Sequence, residues 1–240
     1  MLESIFFRRQ PAHYQTLEYV RVQRLLKQWR AASPATLSVL DYGFGTGRYL
    51  SLFASLGFAV AGVDINQQYI DRARGQGFDV HHESSLDDLE RKFDIIFLGH
   101  LIEHLSPHEL IELLPRLAQK LAVGGRLIMI SPVLGERFFH DFSHIRPYYP
   151  QSIRHAFGQT ISPLSYGPAE LLRMVDIYFF KDPYRTRGWR SFYLPGSRLH
   201  RATKMLNWLF DQAWWLSAGR VGATSSWLGV YVRSEQVVGK

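Results

Sequence analysis

Three glycines in a short run give this sequence its clearest chemical signal. The run Asp41–Gly47 reads D-Y-G-F-G-T-G and follows directly on an apolar stretch. Glycine lets a backbone turn tightly and approach a ligand where a side chain would collide. A helix that begins after such a turn offers unpaired N–H groups to that ligand. The run therefore predicts a ligand-binding turn between a strand and a helix, with an ordinary tight turn as the alternative.

An acidic residue at the end of the next apolar run supports the ligand-binding interpretation. Asp64 closes the run Val60–Val63, about twenty residues after the glycines. In nucleotide-binding α/β domains, an acidic side chain at this point accepts hydrogen bonds from ribose hydroxyls. Asp64 could equally cap the helix that follows, and the two roles are compatible. Together with the glycines, it predicts a site for a nucleotide-like ligand.

Histidines form the second group of residues suited to chemistry. The run His100–His104 reads H-L-I-E-H, which as a bare motif is the inverted zinc-protease pattern. That pattern needs both histidines on one helix, whereas this run begins at the end of a predicted strand. Imidazole titrates near neutral pH and can accept the proton of a reacting hydroxyl group. We expect His144 to be this base, then His100, with Arg146 orienting an anionic group.

The elements that must position these residues alternate between strand and helix. The strand candidates are 37–42, 59–63, 78–81, 93–98 and 126–131, and the helix candidates are 14–29, 47–56, 67–74 and 107–121. Alternation implies parallel pairing, because each crossover must return over a sheet face. Two later strands, 172–180 and 228–233, are expected to form an antiparallel hairpin at the sheet edge. The predicted fold is α/β, a Rossmann-like doubly wound sheet, mostly parallel, with this antiparallel C-terminal edge.

The order of these pieces resembles class I S-adenosylmethionine-dependent methyltransferases. Dinucleotide-binding folds favour G-x-G-x-x-G. The chain instead has G-x-G-x-G with Asp41 two residues earlier, which resembles motif I of the methyltransferase family. The similar part covers roughly residues 37–131. The resemblance implies S-adenosylmethionine as cofactor and one methyltransferase domain over 1–240, with a helical extension (1–35), a cofactor-binding core (36–131) and a substrate side (132–240).

The resemblance also implies roles for single residues. The residues that would surround the methionine part of the cofactor are Asp41, Gly43, Gly45 and Gly47. Asp64 would bind the ribose. In this family the loop after the third strand contacts adenine, and here that loop contains Ser84, Ser85 and Leu86. Glu103-His104-Leu105 resembles the Glu-His-Leu common in small-molecule methyltransferases, with simple ordering of the turn as the alternative.

A metal site is the alternative interpretation of the histidine cluster. Small-RNA 2′-O-methyltransferases carry E-x-x-E-H and a distant histidine, which coordinate a divalent cation. This sequence has His100 in place of the first glutamate, and His140 and His144 as distant candidates. We expect a metal-free site and keep metal-assisted RNA 2′-O-methylation as the alternative function. A non-catalytic nucleotide-binding or scaffolding domain is the third class.

The loop that contains His144 points to the acceptor. The stretch Asp141–Pro147, followed by Pro150–Ile153, resembles methyltransferases encoded with cell-surface polysaccharide enzymes. This resemblance implies a small-molecule acceptor, first a sugar oxygen in a glycan or glycolipid pathway. A quinone-like or other lipid acceptor is the second expectation.

Composition and charge restrict the remaining function classes. The 240 residues include no cysteine, which excludes disulfides, thiolate metal sites and cysteine nucleophiles. No window reaches about 18 uninterrupted apolar residues, so no transmembrane helix is predicted. Residues 1–14 lack the pattern of a secretory signal, and we expect a cytoplasmic protein. The net charge of +7 is concentrated in residues 132–240, which suits an anionic partner.

The segment 181–216 combines basic and aromatic residues. Residues 181–204 hold seven Lys or Arg and only one acid, Asp182. The predicted helix Leu199–Leu216 then places apolar residues along one stripe: Ala202, Met205, Leu206, Leu209, Ala213 and Leu216. A basic stretch with a tryptophan-rich amphipathic helix suits an anionic membrane surface. We expect peripheral membrane contact here; single-stranded nucleic acid, packing on the sheet and an oligomer contact are the alternatives.

Overall fold

The computed structural model describes residues 14–135, 138–158 and 171–233. The helices are α1 (Tyr14–Ala32), α2 (Arg48–Ser55), α3 (Gln67–Gly75), α4 (Pro107–Lys120), α5 (Pro150–Phe157), α6 (Arg190–Tyr193) and α7 (His200–Leu216). The strands are β1 (Ser38–Tyr42), β2 (Ala59–Asp64), β3 (Asp79–His82), β4 (Phe93–Gly99), β5 (Leu121–Pro132), β6 (Leu172–Asp182) and β7 (Ala223–Arg233). Residues 1–13, which bear on the expected lack of a secretory signal, lie outside the described residues.

Seven strands form one sheet in the order β3-β2-β1-β4-β5-β7-β6. β1 pairs in parallel with β2 and with β4, β2 with β3, and β4 with β5. β7 and β6 complete the sheet as its antiparallel edge. This arrangement confirms the predicted Rossmann-like fold. The strand order reverses between β1 and β4, and in such sheets ligands bind at the carboxyl ends of the strands at that point.

Apolar side chains bury the central strands almost along their whole length. Four of the five residues of β1 and five of the seven of β4 are buried, as expected where helices cover both faces of a parallel sheet. The main core cluster includes Leu40, Ile96 and Leu127. A smaller cluster packs Leu50 and Ile70 around Phe44, which is part of the glycine run. The glycine turn is therefore anchored on the core.

Two strands begin earlier than predicted. β5 begins at Leu121, which pairs with Phe93, whereas the predicted start, Arg126, pairs with Ile95. The extra residues are accommodated by an irregularity in the ladder, where Gly124 has a φ of +74°. The sequence also predicts a turn at Gly124-Gly125, and in the structure these two residues lie within β5. β7 begins at Ala223, five residues before its predicted start, and the polar residues there hid the extension.

The chain divides into two compact units. Val22–Tyr178 with the residues from Trp227 onwards form the first, which we call the core unit. The residues up to Arg21 with Phe179–Ser226 form the second, which we call the small unit. Within the small unit, Trp214 Nε1 donates to the Lys181 carbonyl oxygen at 2.7 Å, and Ser226 Oγ donates to the Glu18 carboxylate. The single-domain assignment stays a prediction.

The apolar stripe of α7 is exposed. Met205, Leu209 and Leu216 expose 61%, 48% and 88% of their surface, and Ala202 and Ala213 are exposed as well. The buried positions of this helix are Thr203 and Trp214. The described residues contain no helix long and apolar enough to cross a bilayer.

Candidate active site

The glycine run forms a turn that other residues could not form without strain. Gly43, Gly45 and Gly47 have φ values of +77°, +53° and +80°, in the left-handed region that favours glycine. A Cβ on Gly43 would lie 2.8 Å from Leu101 Cδ1, so Gly43 also packs closely. A Cβ on Gly45 would meet nothing within 4 Å. The backbone at Gly45 therefore borders open space that a ligand can enter.

Asp64 braces the glycine turn. Its Oδ2 accepts a hydrogen bond from the Gly45 N–H, and its Oδ1 accepts one from the Asn66 N–H, both at 2.8 Å. The cap of α3 is Asn66, whose side chain accepts from Gln68 N. The helix-capping role considered for Asp64 is therefore wrong. Each carboxylate oxygen has more than one lone pair, so this bracing leaves capacity for ribose hydroxyls.

Asp41 is a buried carboxyl group at the end of β1 with no partner for Oδ2. Burial raises the pKa of Asp41 well above its ordinary value, and the nearby negative charge of Asp64 raises it further. A buried carboxylate without a partner is costly, and a nearby cation removes much of that cost. S-adenosylmethionine is cationic at its methionine end, so Asp41 beside the open glycine turn fits this cofactor.

The residues expected near adenine lie in the short 3₁₀ turn after β3 and just beyond it. Ser84 and Ser85 belong to this turn. Leu86 is fully buried in the main core cluster, so its side chain stabilises the fold. Ile65, the residue after Asp64, exposes 75% of its surface. Ile65 is thus an exposed apolar residue in the turn between β2 and α3, which the sequence interpretation did not single out.

His100 has a strained backbone directly after β4. Its φ of +56° is uncommon for a residue with a Cβ, and strain of this kind concentrates at functional sites. Its N–H donates to the Ile130 carbonyl oxygen at 2.9 Å, which joins the ends of β4 and β5. His100 Nδ1 lies 3.3 Å from Glu103 Oε1, without the alignment of a hydrogen bond.

Backbone hydrogen bonds join the turn after β4 to the loop after β5. The Glu103 carbonyl oxygen accepts from Ile145 N at 2.8 Å and from Arg146 N at 3.2 Å. The Tyr148 hydroxyl donates to the Leu105 carbonyl oxygen at 3.0 Å. A capping box of Ser106 and Glu109 begins α4 immediately afterwards and fixes the end of this turn. Residues distant in sequence thus become one site.

Glu103, His104 and His144 meet at this junction, and we call them the Glu-His-His cluster. One ligand atom of each residue lies within 4.8 Å of those of the other two. Glu103 is fully buried, and neither of its carboxylate oxygens has a hydrogen-bond partner. Of the other candidates considered for a metal site, His100 and His140 are not in the cluster that the described residues form.

Both histidines of the cluster hold their Nδ1 atoms in hydrogen bonds. His144 Nδ1 lies 2.7 Å from the Phe138 carbonyl oxygen, which can only accept. His104 Nδ1 lies 3.2 Å from the Ser143 carbonyl oxygen and 3.0 Å from Ser143 Oγ. Ser143 Oγ donates its one hydrogen to Asp141 Oδ1 at 2.6 Å, and so it accepts from His104. In the neutral form, both rings therefore carry the proton on Nδ1 and a lone pair on Nε2.

Exposed apolar side chains lie on the same loop as His144. Phe139, Phe142 and Ile145 are exposed on the loop that contains His144, and Leu134 is exposed where that loop begins. Arg146 is also exposed, with its guanidinium carbon 5.8 Å from the ring centre of Tyr148. The loop after β5 thus presents exposed apolar side chains, Phe139, Phe142 and Ile145, which we call the apolar rim, and it also contains His144 of the Glu-His-His cluster.

Comparisons with known proteins agree with this geometry. A family model described as a methyltransferase domain matches residues 12–165. A demethylmenaquinone methyltransferase of Tropheryma whipplei (strain Twist) is 24% identical over 200 residues, covering 73% of this chain and 80% of the relative.

Solved structures share the fold. A SAM-dependent methyltransferase from Archaeoglobus fulgidus superposes with a TM-score of 0.55 at 19% identity, covering 89% of this chain and 93% of that one. The YcgJ protein from Bacillus subtilis superposes with a TM-score of 0.52 at 17% identity, covering 88% and 98%.

The family match and the site lead to the same conclusion. The matched region includes the glycine turn, Asp64 and the Glu-His-His cluster. The unpartnered Asp41 and the open turn at Gly45 fit S-adenosylmethionine, which is the cofactor. This chain belongs to the methyltransferase-domain family and is a class I S-adenosylmethionine-dependent methyltransferase.

Proposed function

We propose that the enzyme methylates a hydroxyl oxygen of a small molecule that has a hydrophobic part, such as a lipid-linked sugar or a quinone-like ring. The observation that supports this most is the exposed apolar rim, Phe139, Phe142 and Ile145, beside the Glu-His-His cluster. Covering apolar surface stabilises a complex by about 25 cal/mol per Å². The relative named demethylmenaquinone methyltransferase supports a small acceptor of the quinone type.

Bound S-adenosylmethionine supplies a methyl group on a positively charged sulfur. In the proposal, Asp41 and the glycine turn hold the methionine end, and Asp64 binds the ribose while it braces Gly45. Ser84, Ser85 and the exposed Ile65 contact the adenine, where Leu86 contributes only backbone atoms. Much of the rate of such a transfer comes from holding the reacting groups in line.

The acceptor side is assigned to the loops after β4 and β5. The hydroxyl loses its proton at the Glu-His-His cluster, where His144 Nε2 has a lone pair. His100 is a positioning residue for Glu103, because the two side chains approach to 3.3 Å. Arg146 binds an anionic group of the acceptor, such as a phosphate, with its exposed guanidinium.

The first test is His144→Ala, assayed with a labelled methyl donor. We expect turnover to fall by at least ~100-fold, the scale at which proton transfer contributes. The affinity for S-adenosylhomocysteine should stay unchanged, because His144 lies outside the glycine turn. His108→Ala, on the exposed surface of α4, is the matched control. Unchanged turnover in His144→Ala would remove this residue from the mechanism.

The acceptor is tested with a panel of lipid-linked sugars, reduced quinones, free sugars and an RNA oligonucleotide. We expect methylation of acceptors with an apolar part and a weaker response to free sugars. Ser replacements of Phe139 and Phe142 should raise the KM for those acceptors with little change for free sugars. Preference for RNA would favour the metal-assisted RNA methyltransferase, and equal use of free sugars would contradict the role of the apolar rim.

We also propose that the small unit contacts an anionic membrane surface that contains the acceptor. The exposed stripe of α7 provides apolar surface at Met205, Leu209 and Leu216. Arg198 and Arg201 are exposed at the start of this helix. An apolar stripe flanked by basic residues is the pattern of helices that lie in the membrane interface.

Vesicle co-sedimentation tests the membrane contact. We expect binding to phosphatidylglycerol vesicles at low salt and weaker binding to phosphatidylcholine vesicles. Replacing Met205, Leu209 and Leu216 together by Ser should weaken binding by at least ~10-fold, since each loses apolar surface at about 25 cal/mol per Å². Val123→Ser, at an exposed position of β5, is the control. Absence of binding by the unaltered protein would contradict the proposal.

A further inference from the structure

We propose that the Glu-His-His cluster binds a divalent transition-metal cation through Glu103, His104 Nε2 and His144 Nε2. The sequence interpretation favoured a metal-free site, and it named His100 and His140 among the possible ligands. The structure instead assembles three side chains, one ligand atom from each lying within 4.8 Å of the other two. Each of these residues would donate one pair of electrons, and together they define one face of a coordination sphere.

Glu103 is the strongest indication of an ion. Its side chain is completely buried, and both carboxylate oxygens lack a hydrogen-bond partner. Buried polar atoms in folded proteins are almost always paired, and each exception requires an explanation. His100 Nδ1 is 3.3 Å away but not aligned for a hydrogen bond. A cation bound to Glu103 would satisfy the charge and the empty lone pairs together.

The two histidines are already arranged as metal ligands usually are. A metal-binding histidine almost always donates its other ring N–H to a backbone carbonyl or a carboxylate, which fixes the ring and the tautomer. His144 Nδ1 donates to the Phe138 carbonyl oxygen, and His104 Nδ1 donates to Ser143. The ring centres are 4.8 Å apart. Both Nε2 lone pairs are thus oriented by contacts that do not involve the ion.

The donor set favours a particular class of cation. Imidazole suits zinc, iron, cobalt and nickel, whereas magnesium and calcium prefer oxygen ligands alone. Bonds of about 2.0–2.2 Å hold ligand atoms at most ~4.4 Å apart, so the 4.8 Å spread needs only a small contraction. Three protein ligands leave coordination positions for water or substrate, as in catalytic sites.

Two polar residues next to the cluster, Asp141 and His100, were considered as partners for its members. A protonated His144 would face Asp141 Oδ2 at 3.9 Å, outside hydrogen-bond distance. The Asp141 carboxylate is itself engaged by the Ser143 hydroxyl and N–H, which lower the pKa of Asp141. Asp141 is therefore held by its own loop, and His100, although 3.3 Å from Glu103, gives it no aligned hydrogen bond.

The role of this ion rests on the proposed function. A hydroxyl bound to a divalent cation loses its proton more readily, as water does on zinc. Transfer then forms an oxygen–carbon bond, breaks the sulfur–methyl bond of the cofactor, leaves a neutral thioether and releases one proton to solvent. With the ion bound, the Nε2 lone pair of His144 is used as a ligand, so the ion replaces His144 as the group that promotes loss of the hydroxyl proton.

Calorimetric titration of chelator-treated full-length protein with ZnCl₂ and with MnCl₂ tests the site directly. We expect one zinc ion per chain with micromolar affinity or tighter, and weaker binding of manganese, which prefers oxygen ligands. Glu103→Gln and His144→Ala should each weaken binding by at least ~100-fold, because even outer-sphere changes cost about 10–100-fold. His108→Ala should bind as the unaltered protein does. Two results would overturn the proposal: no binding by the unaltered protein, or binding by both cluster variants that is as tight as that of the unaltered protein.

Two further measurements keep the outcomes distinct. Affinity for S-adenosylhomocysteine shows whether each variant has folded, because the cofactor side does not use the cluster. Restoration of methyl transfer by added metal after chelation supports the role in activation, and full activity in chelator overturns that role. If no oxygen acceptor is found, the proposed function fails. The metal titration still shows whether the Glu-His-His cluster binds an ion, because it does not depend on the acceptor.

Discussion

Two buried carboxyl groups, Asp41 and Glu103, have different surroundings at neighbouring strand ends. Asp41 lies at the end of β1 and Glu103 in the turn after β4, and each has an oxygen without a hydrogen-bond partner. Asp41 is close to a second carboxyl group, Asp64, which raises its pKa. Glu103 is close to two imidazoles with free lone pairs. Similar orphaned oxygens therefore imply different ligands.

The chemical surroundings of each carboxyl group determine which kind of cation it can bind. Two carboxyl groups concentrate negative charge and suit an organic cation such as the methionine end of the cofactor. One carboxylate with two imidazole nitrogens offers directional lone pairs and suits a metal ion. We therefore expect the two buried carboxyl groups to lower the free energy of unfolding of the ligand-free protein. Binding of their ligands should offset this cost.

The largest expected effect is on the cofactor side. Asp64→Ala removes two hydrogen bonds to backbone N–H groups, each worth about 1.5–3 kcal/mol, and loosens the turn at Gly45. We expect affinity for S-adenosylhomocysteine to fall about 100-fold, as measured by calorimetry. Metal affinity should stay unchanged, and Asp71→Ala, an exposed position of α3, is the control. A loss on both sides would show that the two sites are not separable.

Cofactor affinity should depend on pH through Asp41, which lies outside the Glu-His-His cluster. Because burial raises the pKa of Asp41, the free protein releases this proton less readily than an ordinary aspartate does, whereas the cationic cofactor favours the carboxylate. Affinity should therefore rise with pH up to the raised pKa, by at most about tenfold per pH unit. Titrations in buffers of different ionisation enthalpy should show proton release. Asp41→Asn should abolish both effects, and an unchanged slope in that variant would identify another group.

Removing either buried charge should stabilise the ligand-free protein. Because the pKa of Asp41 is raised on folding, its destabilising contribution is largest above the raised pKa and declines to zero as the pH falls from there to the ordinary pKa of an aspartate. At pH 8, Asp41→Asn should raise the free energy of unfolding by about 1–3 kcal/mol.

Urea unfolding at several pH values measures this effect. Glu103→Gln should give a similar gain only in the absence of metal. A loss of stability in Asp41→Asn at pH 8 would show that Asp41 has a stabilising partner.

The smallest expected effect separates two glycines of one turn. Gly45→Ala should cost about 1 kcal/mol of stability, from the positive φ alone. Gly43→Ala should cost about 1–2 kcal/mol more, because its Cβ would contact Leu101.

The same substitutions should rank differently in cofactor binding, since the open space lies at Gly45. Leu101→Ala combined with Gly43→Ala should recover the difference in stability, as followed by urea unfolding. Equal losses from the two single variants would show that Leu101 yields to the new methyl group.

Local sequence was sufficient for much of the cofactor half. The alternation of strand and helix predicted the parallel sheet, because burial on two faces leaves apolar runs of the right length. Asp64 was predicted at the ligand, yet its contact with Gly45 N depends on how β1 and β2 align. The position of Leu86 in the core could not be predicted, because the sequence does not distinguish a leucine exposed on a loop from one that packs in the core.

The sequence by itself determined the glycine turn, the acidic residue after β2 and the alternation of strands and helices, since backbone conformation and burial act between neighbouring residues. Only the tertiary structure decided that Glu103 is buried without a hydrogen-bond partner, that His144 lies close to it, and that Met205, Leu209 and Leu216 of α7 are exposed. These outcomes depend on contacts between residues distant in sequence, such as the bonds from Ile145 and Arg146 to the Glu103 carbonyl. The spacing of apolar residues predicts that a helix has an apolar face, whereas only the tertiary packing determines whether other parts of the protein bury that face.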